Sequence, residues 1–136
     1  LEKFKHFMPV TMHRFEAPAD LFHMTRIAAT LVEDCGPCAL VAAEGAVRDG
    51  VDSELVNAAL KADPPDGDLK TAFIFGAAIA RQSIEAFTIG DAIEEAYGRT
   101  VRLELAMTAA TVRAYPAMKR GLGLSKACAL TPLSVG

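Results

Sequence analysis

The chain has 136 residues, 51% of them hydrophobic, with 14 Lys plus Arg against 17 Asp plus Glu. That length suits one domain with enough apolar material for a core, and the hydrophobicity excludes intrinsic disorder. A net charge of −3 argues against the clustered basic surface of a nucleic-acid binder, and the longest apolar run, Thr71 to Ala80, falls short of the roughly 18 residues of a membrane span.

Leu1 to Glu16 mix charge, aromatics and methionine, and Pro9 limits any helix there to short pieces. This segment is read as a lead-in that packs on the core or on a neighbouring subunit. Pro18, which tolerates a first turn because its missing N–H would have no partner, opens the first confident helix. Leu21, Met24, Ala28 and Leu31 give that helix an apolar stripe, and it is predicted to end near Asp34 because Gly36 and Pro37 break the pattern. The next helix starts within Cys35-Gly36-Pro37-Cys38 and runs to about Asp49, with Cys38, Leu40, Val41, Gly45 and Val47 expected on its inner face and Gly50 as its stop. Asp52 is a candidate N-cap for a third helix to Ala62.

Asp63 to Asp68 is a loop rather than a domain linker, since neither half of the chain would make a comfortable core alone. A helix from Asp68 to about Ser83 follows, apolar through its middle. Such a helix is buried on most sides, and in so short a chain it predicts a subunit interface and a homo-oligomer. Further helices are expected from Thr88 to Gly98 and from Thr100 to Arg120, the latter bent at Pro116, before an irregular tail from Leu124 to Gly136. No segment alternates like a strand, so residues 1–136 read as a single all-α domain.

The chemistry lies in the cysteines. Three of them are too few for a secreted disulfide framework, and this favours a cytoplasmic protein. Two residues separate Cys35 from Cys38. If the second lies in the first turn of a helix, the first sits at its N-terminus and the sulfurs come within bonding distance. The free N–H groups and partial positive charge there stabilise a thiolate and lower the thiol pKa. One thiolate then attacks and the other resolves the mixed disulfide. A zinc site would need two more ligands, but no second such pair occurs and His6, His13 and His23 are scattered. No metal or cofactor is expected, and an inert buried pair stays open beside the redox reading. The Gly-Pro insert also occurs in thioredoxin, but a strand must deliver the motif there, and here a helical segment precedes it.

A helix leading into the cysteine pair, a helix after it and the third helix Gly50-Val51-Asp52-Ser53-Glu54-Leu55-Val56-Asn57-Ala58-Ala59-Leu60 resemble the carboxymuconolactone decarboxylase/AhpD-like superfamily. The likeness spans residues 17 to 123 and is most specific from Arg26 to Leu60. Tyr115-Pro116, then Gly121-Leu122-Gly123 and Cys128, are similar to a less characterised branch. The resemblance implies an AhpD-like helical bundle that forms dimers, trimers or hexamers. It also implies alkylhydroperoxidase or disulfide reductase activity, with a peroxide or disulfide substrate and a thiol protein as reductant. The family's cysteines are served by a Glu–His proton relay. The Glu position falls on His23 and the His position on Ala42, so this chain departs from the pattern at both. Decarboxylases of the superfamily do not use the cysteine pair.

Four residues are therefore candidate catalytic groups: Cys35, Cys38, His23 and Glu33. His23, 12 residues before Cys35, is expected to accept a thiol proton or stabilise a thiolate in place of the relay. Glu33 is a candidate proton carrier, ahead of Asp34. Cys35 is taken as the more exposed sulfur that attacks and Cys38 as the resolver, although the family's peroxidase scheme reverses that order. Glu44 reads as surface, and Cys128 as a small buried residue or a third redox centre. Two other readings stand beside the oxidoreductase: a non-enzymatic helical assembly module, and a decarboxylase-like site using carboxylates with Arg26 or Arg81.

Overall fold

The computed structural model describes residues 1–124 and 134–136, so Cys128 and most of the tail lie outside the described residues. The described residues are helical throughout, with no strand, as the apolar patterning predicts. Two short helices form the lead-in, α1 (Glu2–Lys5) and α2 (Met8–Thr11). Seven more follow: α3 (Ala19–Val32), α4 (Gly36–Arg48), α5 (Ser53–Leu60), α6 (Asp68–Ala80), α7 (Glu85–Tyr97), α8 (Arg99–Thr111) and α9 (Ala114–Gly121).

The core is organised around α3 rather than α6. Every residue from Leu21 to Thr30 is buried, so α3 is covered on all sides and is not the one-striped helix of the sequence reading. Its threonines escape that reading because each finds a carbonyl partner. Thr25 donates to the carbonyls of Leu21 and Ala72, each at 3.0 Å, and Thr30 donates to the carbonyl of Arg26 at 2.8 Å. A buried hydroxyl so bonded costs little, whereas an unbonded one costs on the order of 1–3 kcal/mol. One apolar cluster joins α3 to α4, α5 and α6 through Met24, Ile27, Ala43 and Val56. A second joins it to α6, α7 and α8 through Phe22, Phe75, Ile93 and Leu105.

Helix α6 crosses α3 closely because of Gly76. A Cβ built there would lie 2.1 Å from the Thr25 carbonyl oxygen, so only glycine permits this separation. The apolar middle of α6 is covered by α3, α7 and α8 of the same chain, and among its large side chains Ile74 is exposed while Phe75 is buried. The apolar middle of α6 is thus satisfied within one chain and does not require the subunit interface expected from the sequence.

Local signals mark some helix ends. Asp52 caps α5 by accepting the Glu54 N–H at 2.8 Å, and Gly50, at φ 92°, ends the turn after α4. The inner face of α4 is Ala39, Ala42, Ala43 and Ala46, while Val41 is exposed. Small residues let α4 approach α3, and this reverses the face expected from its larger apolar residues. The predicted long helix after Thr100 is two helices that break at Val112 and Arg113. Pro116 lies in the first turn of α9, and the break falls at Val112, whose carbonyl its ring would meet in a continuous helix, so the proline ends one helix and starts another rather than bending a single one. The chain end returns to α5, where Asn57 exchanges two hydrogen bonds with the Val135 backbone at 2.8 and 2.9 Å.

Candidate functional site: the cysteine pair and its pocket

Helix α3 ends at Val32, and the chain reverses through Glu33 and Asp34. Asp34 takes φ 54°, a left-handed conformation that Asp tolerates better than most side chains. The reversal places Cys35 as N-cap of α4 with Gly36 and Pro37 in the first turn, as the sequence predicts. Cys35 and Cys38 are joined as a disulfide with Cα atoms 5.2 Å apart. The Cys38 N–H also donates to Cys35 Sγ at 3.4 Å, so the helix end polarises that sulfur.

The two cysteines differ in exposure, in the order opposite to the expected one. Cys35 is 3% exposed. Cys38 is half-buried and forms part of the wall of a pocket of about 240 Å³. Met8 of α2, Arg26 of α3, Ala42 of α4, and Tyr115 and Lys119 of α9 also line it. The helical rise explains the company: Ala42 follows Cys38 by one turn on α4, and Arg26 comes from the antiparallel helix behind it. Phe4 packs edge-on against Tyr115 with ring centroids 5.3 Å apart, and the Tyr115 hydroxyl meets the Met8 sulfur. The lead-in thus forms one wall of the pocket. A larger depression of about 540 Å³ runs along α8 past Arg99, Arg102 and Leu103, but no cysteine lines it.

His23 lies at the other end of the α3–α4 pair. It is fully buried, and its Nε2 is 2.9 Å from Oδ2 of Asp49, the residue that ends α4. Eleven residues of helix, about 16 Å at the helical rise, separate Asp49 from Cys38. The structure therefore does not bring His23 to the cysteines. Burial lowers the His23 pKa from its ordinary 6.5, only partly offset by the Asp49 hydrogen bond, and the ring is neutral at pH 7. Its Nδ1 has no hydrogen-bond partner among the described residues, which fits a neutral ring donating from Nε2. Asp49 also accepts from Arg14 at 3.0 Å, and Arg14 donates to the Ala17 carbonyl, tying the lead-in to this end of the bundle.

Glu33 is near the pair but occupied. It is 8% exposed and accepts from Arg113 Nε at 2.5 Å and Arg120 Nη2 at 2.6 Å. Burial alone would raise its pKa. The two arginines outweigh burial and hold the carboxyl below the usual carboxylate range. A carboxylate so stabilised is a weak base, and its geometry is that of a clamp between the end of α3 and α9. Asp34, Glu44 and Arg81 are exposed, as are His6 and His13. Among the described residues no cluster of His, Cys, Asp and Glu could hold a metal ion.

Arg26, Tyr115 and Lys119 are the residues whose convergence on the pair sequence reasoning did not reach. Arg26 had a signal: one arginine amid the small and apolar residues of Met24 to Ala29 must either interrupt the buried face or serve it. Lys119 had none, because its position depends on how α9 folds back. Compared with family models, with curated proteins and with solved structures, the chain matches none.

Proposed function

We propose that the protein is a thiol–disulfide oxidoreductase in which Cys38 exchanges with substrate and Cys35 is the buried partner. The observation that carries this reading is the asymmetry of the pair: a disulfide at a helix N-terminus with only its second cysteine lining a pocket. In the reductive half-cycle a thiolate of a dithiol donor attacks Cys38 Sγ. The Sγ–Sγ bond breaks and Cys35 leaves as a thiolate at the N-terminus of α4. The donor's second thiolate then attacks its own sulfur in the mixed disulfide and frees Cys38. In the oxidative half-cycle the Cys38 thiolate attacks a substrate disulfide and expels one thiolate, and Cys35 attacks Cys38 Sγ to expel the second. Two electrons pass from donor to substrate, and the two thiol protons end on the released thiolates.

The all-α bundle around a paired cysteine also supports our reading of the chain as a divergent, cysteine-pair branch of the AhpD-like superfamily. Peroxide reduction by that family's relay is not part of the proposal. Ala42 supplies no proton, and His23 is engaged with Asp49. Disulfide exchange needs no such relay, because the helix end stabilises the thiolate directly.

The test is single-turnover reaction of the reduced protein with a small disulfide, in a Cys128→Ser background. Cys35→Ser should accumulate a stable mixed disulfide at Cys38. Cys38→Ser should react at least about 100-fold more slowly than the parent, as expected of a buried thiol. Equal reactivity of the two variants, or trapping at Cys35, overturns the assignment. No exchange in the parent would make the pair a structural crosslink of a helical module.

A further inference from the structure

The Cys38 pocket contains a cation that the fold does not neutralise. Arg26 is 6% exposed, yet no carboxylate lies within ion-pair distance of it among the described residues. Its Nη1 donates to the Thr11 carbonyl at 2.7 Å and to Thr108 Oγ1 at 3.3 Å. Thr108 donates in turn to the same carbonyl at 2.7 Å. These bonds fix the guanidinium but bring no negative charge. Taking an unpaired charge out of water costs several kcal/mol, and most folds avoid it. Burial lowers the Arg26 pKa to about 10, so the group remains a cation at neutral pH.

A second cation, Lys119, lines the same pocket from α9, and its ammonium has no hydrogen bond or ion pair among the described residues. Of the two acids just before the pair, Glu33 is already taken by Arg113 and Arg120, and Asp34 is exposed. Apart from the two cations and Tyr115 the lining is apolar, formed by Met8, Pro37, Val41, Ala42 and Val112 beside Cys38. The volume, about 240 Å³, is below the roughly 300–1,000 Å³ of sites for drug-sized ligands, and so selects a small molecule.

We propose that Arg26 and Lys119 form a carboxylate-binding position, so that the substrate of Cys38 is a small disulfide with an apolar body and an acidic head. This rests on the exchange reading above for its chemistry, though not for its binding. Arg26 receives the carboxylate from a fixed guanidinium already held by Thr11 and Thr108, and Lys119 closes over it from α9. The apolar body lies on Val41, Ala42 and Val112, which brings the sulfur atoms to Cys38. Both cations act by positioning and do not enter the exchange itself.

Two measurements test this. Phenylbutyrate is titrated into the oxidised protein and followed by NMR. It should shift the Ala42 and Val112 resonances and bind at least about tenfold tighter than its amide, the effect of one charged hydrogen bond. Lys119→Gln should remove that preference, as should Arg26→Gln where it folds; Lys119 is on the pocket rim, so its variant carries the test alone if necessary. In the second measurement the reduced protein is mixed with dithiobis(benzoic acid) and with its neutral diamide. Lys119→Gln should slow the acid at least about fivefold and leave the diamide within about twofold. Equal binding of acid and amide, or equal loss of both disulfides in Lys119→Gln, overturns the inference. Exchange with the diamide but no preference for the acid leaves the redox reading standing without it. Selective phenylbutyrate binding with no exchange at all sustains the subsite and rejects the redox reading.

Discussion

The two ends of the α3–α4 pair are built from similar parts and do different things. At one end a buried His23 meets Asp49, which also holds Arg14; at the other a buried Glu33 meets Arg113 and Arg120. Both are polar clusters that fasten a neighbouring segment to α3, the lead-in in the first case and α9 in the second. Each end has a depression beside it, but among the described residues only the one at the second end is lined by a cysteine. Ionisable residues inside a bundle are therefore not by themselves a site. A nucleophile at a polarised helix end, beside a cavity lined by uncompensated charge, is the better indicator.

The comparison breaks most strongly at Glu33. Glu33→Gln leaves Arg113 and Arg120 facing a neutral amide, with an expected cost of about 2 kcal/mol by urea unfolding. That is below the roughly 3–5 kcal/mol of a fully buried pair because water reaches both arginines. A cost under about 0.5 kcal/mol would show that α9 is held by its apolar contacts instead.

His23→Gln should cost about 1 kcal/mol at pH 7 and leave exchange at Cys38 within about twofold, because the ring is remote from the sulfurs. Its clearer signature is in pH. The folded His23 pKa is below the ordinary 6.5, so the unfolded chain takes up this proton first. The stability from the neutral ring is full above that value and is lost as pH falls toward the folded one. Glu33, also lowered from 4.5, contributes stability that is lost only as pH falls through its folded value. Urea midpoints should therefore begin to fall below pH 6.5 and fall further below pH 4.5, and His23→Gln should flatten the decline that begins at 6.5. A parallel loss of exchange in this variant would return His23 to the mechanism.

The smallest effect is expected at Asp34, which turns the chain into the cysteine pair with φ 54°. Asp34→Gly should stay within about 0.5 kcal/mol of the parent, since relief of the backbone offsets glycine's greater freedom when unfolded. Asp34→Val should cost about 1 kcal/mol or more, as a branched side chain resists this conformation. Equal stability of the two variants would show that the turn relaxes elsewhere.

Much of this molecule is local, and that part was legible. The helix N-caps at Cys35 and Asp52, the stop at Gly50 and the loop from Asp63 follow from side-chain chemistry within a few residues. The all-α class follows from apolar spacing, and the bonded cysteine pair from a two-residue gap at a helix start. What only the tertiary structure decided was which helix is central, which sulfur meets solvent and which charges meet the sulfur. Apolar content pointed to α6, but α3 carries the core because its threonines and arginine find partners on other helices. His23 and Glu33 were placed beside the cysteines by sequence distance. An antiparallel helix pair sends one to its far end, and two arginines from α9 occupy the other. Arg26 and Lys119 are 93 positions apart in the numbering and line one pocket because Arg113 and Arg120 tie α9 to the end of α3 at Glu33, a contact that no local pattern encodes.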